Sequence, residues 1–267
     1  MTSRMFLVFG VAAFAVQFAD AATDELHAIV QPEFEYLIGA RADGKWLNSQ
    51  QAARRLTTGT TFRLFSFTEE VGRATGGKAS SSDYCPETYV TELSPKPKQA
   101  VIGIAAPWNP MPRKPSDAAT TQPVYVKAVA EFLASRGLAG AQVKITRIVR
   151  VDLDGDGEEE VLISATNYNG NTEAGTPDAA SNDYSCVLLR RAVGGKVNTQ
   201  LVNGEFYPKA KESVAPCYYR ILSVLDVDGD GKLEVLLQTA CYEGVGVTIY
   251  TLQGAKPKKV LTTSCGA

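Results

Sequence analysis

Asp152-Leu-Asp154-Gly-Asp156-Gly157-Glu-Glu-Glu160-Val161 and Asp226-Val-Asp228-Gly-Asp230-Gly231-Lys-Leu-Glu234-Val235 share one pattern, D-x-D-G-D-G-x-x-E-V, and the second copy starts 74 residues after the first. Each copy gathers at least four carboxylates into nine residues. Unit charges repel by about 1 kcal/mol per pair at about 4 Å in water, and by more where water is excluded. A folded loop that collects them needs protonation or a cation. Aspartates at alternate positions followed by glycine form an all-oxygen donor set for a hard cation, which points to Ca²⁺. A solvated acidic turn is the plainer reading of one such copy. Two in-phase copies with Gly at positions four and six argue against it.

The flanks decide what kind of loop this is. An EF-hand carries a bidentate Glu at position twelve and helices on both sides. Position twelve here is Ile163 in one copy and Leu237 in the other, and the acid comes at position nine. Lys144–Val151 and Val161–Ser164 bracket the first copy, and Ile221–Leu225 and Val235–Gln238 the second. These short β-branched and apolar runs, bounded by Gly and Asp, read as strands. The unit is strand, acidic loop, strand.

That unit resembles the FG-GAP and integrin-type β-propeller repeats, whose hairpin loops read D-x-[DN]-x-[DN]-G-x-x-[DN]. The resemblance covers roughly 146–265. It implies Ca²⁺ held by Asp152, Asp154, Asp156, Glu160 and the carbonyl of Glu158. The second set would be Asp226, Asp228, Asp230, Glu234 and the carbonyl of Lys232. Position nine is Glu in both copies, where the family has Asp. The longer side chain leaves three arrangements open: direct binding, binding through water, or pointing away. Apart from Lys232 no basic residue lies within either loop.

After each acidic hairpin come two more strand candidates, Tyr184–Arg190 and Val197–Phe206 in the first repeat, Val247–Leu252 and Lys259–Thr263 in the second. Each repeat is then a four-stranded meander, the blade of a propeller. The expected fold is mainly β: two such repeats, either alone or as an incomplete propeller, with a β-rich N-terminal part and one clear helix. That helix starts at Pro123, carries apolar residues at Val126, Val129, Phe132 and Leu133, and stops at Gly137. A second, short helix capped by Asn48 or Ser49 fits 48–56. Residues 23–33 read as a polar lead-in, and 107–122, rich in Pro, Ser and Thr, as a linker. The expected boundaries are 1–21 for a signal peptide, 34–112 for a β-rich domain, and 123–267 for the helix and repeats. Whether the N-terminal strands add blades or form their own domain stays open.

Length and charge narrow the function classes. The chain has 267 residues, 45% apolar types and a net charge of −2, enough for one large or two small domains. It is a poor general match to nucleic acid. Arg4, the apolar run Met5 to Phe18, and Ala19-Asp-Ala21 form the pattern of a cleaved secretory signal. The run is short for a bilayer span, so the mature chain is expected to lack a stable membrane span and to be secreted or periplasmic. An uncleaved anchor is the alternative. Export permits disulfides, and meander geometry gathers the cysteines at the end away from the acidic loops. Pairing Val224 with Val235 leaves Cys217 and Cys241 almost opposite, so Cys217–Cys241 is expected. Cys186–Cys265 is the second expected pair, with Cys85 left over.

Other motifs carry little. Gly72-Arg-Ala-Thr-Gly-Gly77-Lys78 imitates a phosphate-binding loop, but Ala79 lacks the hydroxyl that would hold Mg²⁺ and no helix follows. One histidine, His27, excludes two-histidine zinc motifs. Trp46 and Trp108 suit core packing or stacking on a sugar. The reading is an exported calcium-binding module with no catalytic constellation, whose partner is an unidentified protein or glycan. The alternative is a hydrolase of polysaccharide or surface polymer using acids such as Glu69 or Glu70. The long Asn167–Asp183 insertion, a loop between the second and third strands of the first repeat, reads as disorder or as a ligand surface at the end opposite the acidic loops.

Overall fold

The computed structural model describes residues 25–168, 176–254 and 256–266. The expected signal segment and cleavage point lie outside these residues, as do residues 169–175 of the insertion. The chain is mainly β. Its N-terminal part contains β1 (His27–Gln31), β2 (Tyr36–Ala42), β3 (Lys45–Asn48), α1 (Ser49–Arg55), β4 (Thr60–Phe65), β5 (Glu70–Gly76), β6 (Ser80–Ser81), β7 (Tyr89–Val90), β8 (Leu93–Ser94) and β9 (Ile102–Ile104). The strands form one sheet in the order β6-β7-β2-β1-β9-β4-β5-β8, with β3 beside β2. Then come β10 (Ser116–Ala118), α2 (Pro123–Ser135), β11 (Ile145–Val151), β12 (Glu160–Thr166), β13 (Asp183–Val193) and β14 (Lys196–Tyr207). The last sheet is β15 (Tyr218–Leu225), β16 (Glu234–Cys241), β17 (Gly244–Gln253) and β18 (Lys256–Gly266).

Each repeat is an antiparallel meander, β11-β12-β13-β14 and β15-β16-β17-β18. The sheets stack in layers. Val149, Val151, Leu162 and Leu189 of the first repeat meet Val224, Val235 and Leu237 of the second. The opposite face of the second repeat, with Leu222, Leu236, Val247 and Ile249, packs on Ile29, Ile38, Phe65 and Ile104 of the N-terminal sheet. The opposite face of the first repeat, with Ile148, Ile163 and Leu188, packs on Tyr125, Val129 and Leu133 of α2. Successive residues of β12 and β16 therefore enter different cores. This explains why both strands read as unbroken apolar runs instead of alternating ones. The order of layers is N-terminal sheet, second repeat, first repeat, α2.

Both helices begin where the sequence signals them. Asn48 caps α1 by accepting from the Gln51 amide at 2.9 Å, while Gln51 Oε1 accepts from the Asn48 amide at 3.0 Å; this is a complete capping box. Pro123 opens α2. Residues 72–78 form the end of β5 and the turn after it, so no helix receives the glycine-rich stretch. Among the described residues no helix is long and apolar enough to cross a membrane.

Three expectations need correction. Residues 23–33 are not a lead-in: β1 lies inside the N-terminal sheet between β2 and β9, with Ile29 and Val30 fully buried. Ile29 and Val30 point into different cores, so the short run shows no alternation to betray it. Residues 107–122 are not a free linker either, because β10 adds an edge strand to β11. The disulfides also differ in part. Cys217–Cys241 forms, with a Cα–Cα distance of 4.2 Å. A β-bulge between Ile221 and Ser223 shifts the ladder so that Tyr218 faces Ala240, and one further step puts the two cysteines in direct opposition. Cys265, however, pairs with Cys85, and Cys186 is a free, buried thiol. Cys186 faces α2 on the outer side of the first repeat, with the whole second sheet beyond the other face. Cys265 ends β18 next to the N-terminal segment, where Thr88 Oγ1 donates to the Ser264 carbonyl.

Candidate metal centre

The acidic segments form the β11–β12 and β15–β16 hairpin loops, and they are built on one backbone scaffold. The position-one aspartate accepts two loop amides. Asp152 takes Gly155 N at 2.7 Å and Gly157 N at 3.1 Å, and Asp226 takes Gly229 N at 2.7 Å and Gly231 N at 3.0 Å. The position-nine glutamate reaches back to the second residue: Leu153 N donates to Glu160 Oε2 at 2.8 Å, and Val227 N to Glu234 Oε2 at 3.0 Å. Position five caps the turn, with Glu158 N donating to Asp156 and Lys232 N to Asp230, each at 2.8 Å. Gly155 and Gly229 both have φ of 80°, a region open to glycine at little cost.

The carboxylates do not gather identically. In the first loop Asp152, Asp154 and Glu160 bring one oxygen each within 4.8 Å of one another. In the second loop Asp226, Asp228 and Asp230 do so. Asp156 stands outside the first cluster, exposed at the tip. Glu158 and Lys232 are also exposed, at the outer rim of their loops.

The neighbours differ more sharply. In the first loop Arg191 Nη2 lies 2.7 Å from Asp154 Oδ2 and 3.7 Å from Glu160 Oε1, and its side chain is only 10% exposed. Among the described residues, the guanidinium nearest the second loop stands farther off. Arg41 Nε approaches Asp228 Oδ2 at 3.6 Å, and Glu234 Oε1 is buried without a hydrogen-bond partner. A buried charge without a partner neutralises by shifting its pKa. Burial first, then the nearby Asp228 carboxylate, push Glu234 up to about 9. Burial also raises Asp226 and Asp228. Glu160 is raised by burial as well, but the Leu153 amide and Arg191 pull against it. The sequence reading, that no basic residue apart from Lys232 lies within either loop, considered only residues inside the loops. Arg191 arrives from β13.

The segment before α2 braces both hairpins. Arg113 donates to the Asp152 carbonyl at 2.6 Å and the Gly231 carbonyl at 2.8 Å, and so ties one loop to the other. Leu233 N donates to the Leu153 carbonyl at 2.8 Å. Trp108 Nε1 donates to the Asp226 carbonyl at 2.9 Å, and Asp226 N donates to the Pro110 carbonyl at 2.8 Å. Trp108 is thus packing around the second loop. Arg191, Arg113 and Arg41 escaped the sequence reading. Only Arg191 left a usable trace: pairing Val161 with Arg190 places Arg191 beside Glu160.

As a donor set the second loop fits a hard dication, because three aspartate oxygens converge there and the nearest guanidinium, Arg41, stays 3.6 Å from Asp228. The first loop fits one poorly, because the buried Arg191 guanidinium sits 2.7 Å from Asp154, one of its three clustered acids. The hydrolase candidate Glu70 is held by Arg63 at 3.1 and 2.6 Å. The Arg63 hydrogen bond keeps its pKa below the ordinary range, which is unsuited to a proton donor.

At the other end of the repeats, a cleft of about 440 Å³ is lined by Thr239, Tyr242, Val245, Thr248, Thr262 and Ser264, beside both disulfides. Residues 176–182 of the insertion pack near it. Ala179 and Lys211 exchange backbone hydrogen bonds at 2.8 and 2.9 Å, and Ala215 N donates to the Pro177 carbonyl at 2.9 Å. This stretch is ordered, not the free loop that its composition allowed. No family model, curated protein or solved structure matches the chain.

Proposed function

We propose that this is an exported, calcium-stabilised β-repeat module that binds a polar ligand, protein or glycan, and that its acidic hairpins are FG-GAP-type loops, of which the second holds the metal. The observation that carries the metal is the convergence of Asp226, Asp228 and Asp230, in the same loop as Glu234, a fully buried carboxylate with one oxygen unpartnered that feels all three of these acids. A dication there supplies the missing charge and ligand at once. Asp226, Asp228, Asp230 and Glu234 would hold it. Ca²⁺ is favoured over Mg²⁺ because a flexible, crowded carboxylate cage suits a larger ion with more ligands. The two disulfides support an oxidising compartment, where Ca²⁺ is abundant enough to fill weak sites.

The ligand face is assigned to the cleft at the far end. Its lining mixes threonine and serine hydroxyls with apolar surface from Tyr242 and Val245, which suits a sugar or a peptide. The test has two arms. Isothermal titration of the metal-free chain with CaCl₂ is expected to show binding that Asp226→Ala abolishes. Tyr242→Ala is expected to lower retention on polysaccharide or cell-surface material while leaving calcium binding intact. Absence of any calcium heat refutes the metal reading. Unchanged retention removes the cleft as the ligand face.

A further inference from the structure

The two hairpins have the same nine-residue pattern, but the strand beside each one differs. In the first repeat Val161 faces Arg190, so the next step of the ladder sets Arg191 beside Glu160. In the second repeat Val235 faces Tyr250, and the same step sets Thr251 beside Glu234. Arg191 and Thr251 are structural counterparts.

We infer that Arg191 is a built-in cation that takes the place of a metal ion at the first hairpin, so that the chain holds one calcium ion, at the second. This rests on the calcium reading given above. Arg191 Nη2 sits on Asp154 at 2.7 Å, with Glu160 at 3.7 Å, while Nη1 donates to the Gly254 carbonyl at 3.3 Å. The side chain is nine-tenths buried, so it has little room to leave. A dication bound by the same oxygens would meet a guanidinium at contact distance, where like charges repel strongly. The two acid clusters follow suit. Asp230 joins the second cluster, whereas its counterpart Asp156 stays outside the first. Each loop keeps one buried carboxylate oxygen without a hydrogen-bond partner, Asp154 Oδ1 in the first and Glu234 Oε1 in the second, so the arginine, not the orphaned oxygen, separates them. In the first loop the corresponding glutamate faces the guanidinium.

The test counts ions. The mature chain, stripped with EDTA and dialysed against CaCl₂, is weighed by native mass spectrometry and titrated by calorimetry. One calcium per chain is expected. It should survive Asp152→Asn and be lost in Asp226→Asn, which locates it without touching Arg191. Arg191→Thr is expected to raise the count to two, and Thr251→Arg to lower it to none. Arg191→Met keeps the packing volume and serves if the threonine variant folds poorly. Two ions in the unmodified chain, or one ion lost through Asp152→Asn, overturns the inference while leaving the calcium reading in place. No ion at all removes both.

Discussion

At the first hairpin a guanidinium lies 2.7 Å from Asp154; at the second, the nearest one to Asp228 stands at 3.6 Å and Glu234 keeps a buried oxygen unpaired. The backbone scaffolds are otherwise nearly superimposable in their hydrogen bonds. An identical motif can therefore set loop shape without setting the need for an ion. That need is decided by a residue on the neighbouring strand, outside the motif. The repeats also differ in setting. The second sheet is enclosed between the N-terminal sheet and the first repeat, whereas the first lies between the second repeat and a single helix. Deeper enclosure makes unpaired charge costlier, so the enclosed loop has more to gain from a dication.

The largest effect that separates the loops should come from their position-one aspartates. Both accept two amides, and charge-assisted bonds of this kind contribute about 1.5–3 kcal/mol. Asp226 carries the ion as well. Asp226→Ala is expected to cost about 3–4 kcal/mol in calcium and Asp152→Ala about 2 kcal/mol, read from urea unfolding. Equal costs would erase the distinction. Chelation comes next. An ion at a hundredfold excess over Kd stabilises by about 2.7 kcal/mol, or roughly 5–10 °C in Tm for a chain of this size. EDTA should remove that increment, and Glu234→Gln should abolish most of the EDTA response. Identical melting with calcium and with EDTA would take the metal out of both loops.

The same contrast shows where sequence reading succeeds. The strands beside the loops, the cap of α1 near Asn48, and the proline start of α2 are local, and each was legible within a few residues. Cys217–Cys241 was nearly so. The ladder from Val224 and Val235 left it one residue out of register, and the bulge at Ile221–Ser223 corrected the slip. What escaped was long-range. Cys85 finds Cys265 across a sequence separation of 180, and no periodicity encodes that closure. Arg191 belongs to a loop to which it is not contiguous. β1 was missed because its residues are buried on both faces, and Pro, Ser and Thr disguised the segment carrying Trp108 and Arg113 as a linker.

Titration offers a smaller and graded test. Glu234 has its folded pKa pushed up to about 9 from an ordinary value of 4.5. For a raised pKa, the contribution to stability is fully present below the unfolded value and is lost as pH rises toward the folded one. The metal-free chain should therefore lose stability from pH 4.5 upward to about pH 9, at up to about 1.4 kcal/mol per pH unit for this one group. Asp226, Asp228 and Glu160, all raised, act in the same direction. Calcium displaces the Glu234 proton, so the loaded chain should show a flatter profile and bind with proton release. Urea unfolding from pH 5 to 8, with and without EDTA, measures the gap. Glu160→Gln should leave that gap nearly unchanged and Glu234→Gln should close it. A gap that does not widen with pH counts against Glu234 as the site's buried ligand.

The smallest expected difference lies in the glycines, and it isolates packing from charge. Gly155→Ala and Gly229→Ala both place a side chain at φ of 80°, at a cost of about 1–2 kcal/mol each. Their surroundings differ. A Cβ at Gly155 would lie 3.3 Å from Arg113 Nη1, the terminal nitrogen that makes none of the hydrogen bonds holding this guanidinium. A Cβ at Gly229 would lie 3.1 Å from the Trp108 ring, which is pinned by its bond to the Asp226 carbonyl. Gly229→Ala should therefore cost several tenths of a kcal/mol more, on the order of 0.5 kcal/mol. Gly157 and Gly231 provide the control, since they have φ of 90° and 82° and nothing within 4 Å of either Cβ. Their alanine variants should cost the same as each other. Measured in EDTA, where no ion contributes, an excess at Gly229 that disappears in a Trp108→Ala background assigns it to the indole. An excess that persists there assigns it to the loop itself, and the bracing role of Trp108 fails.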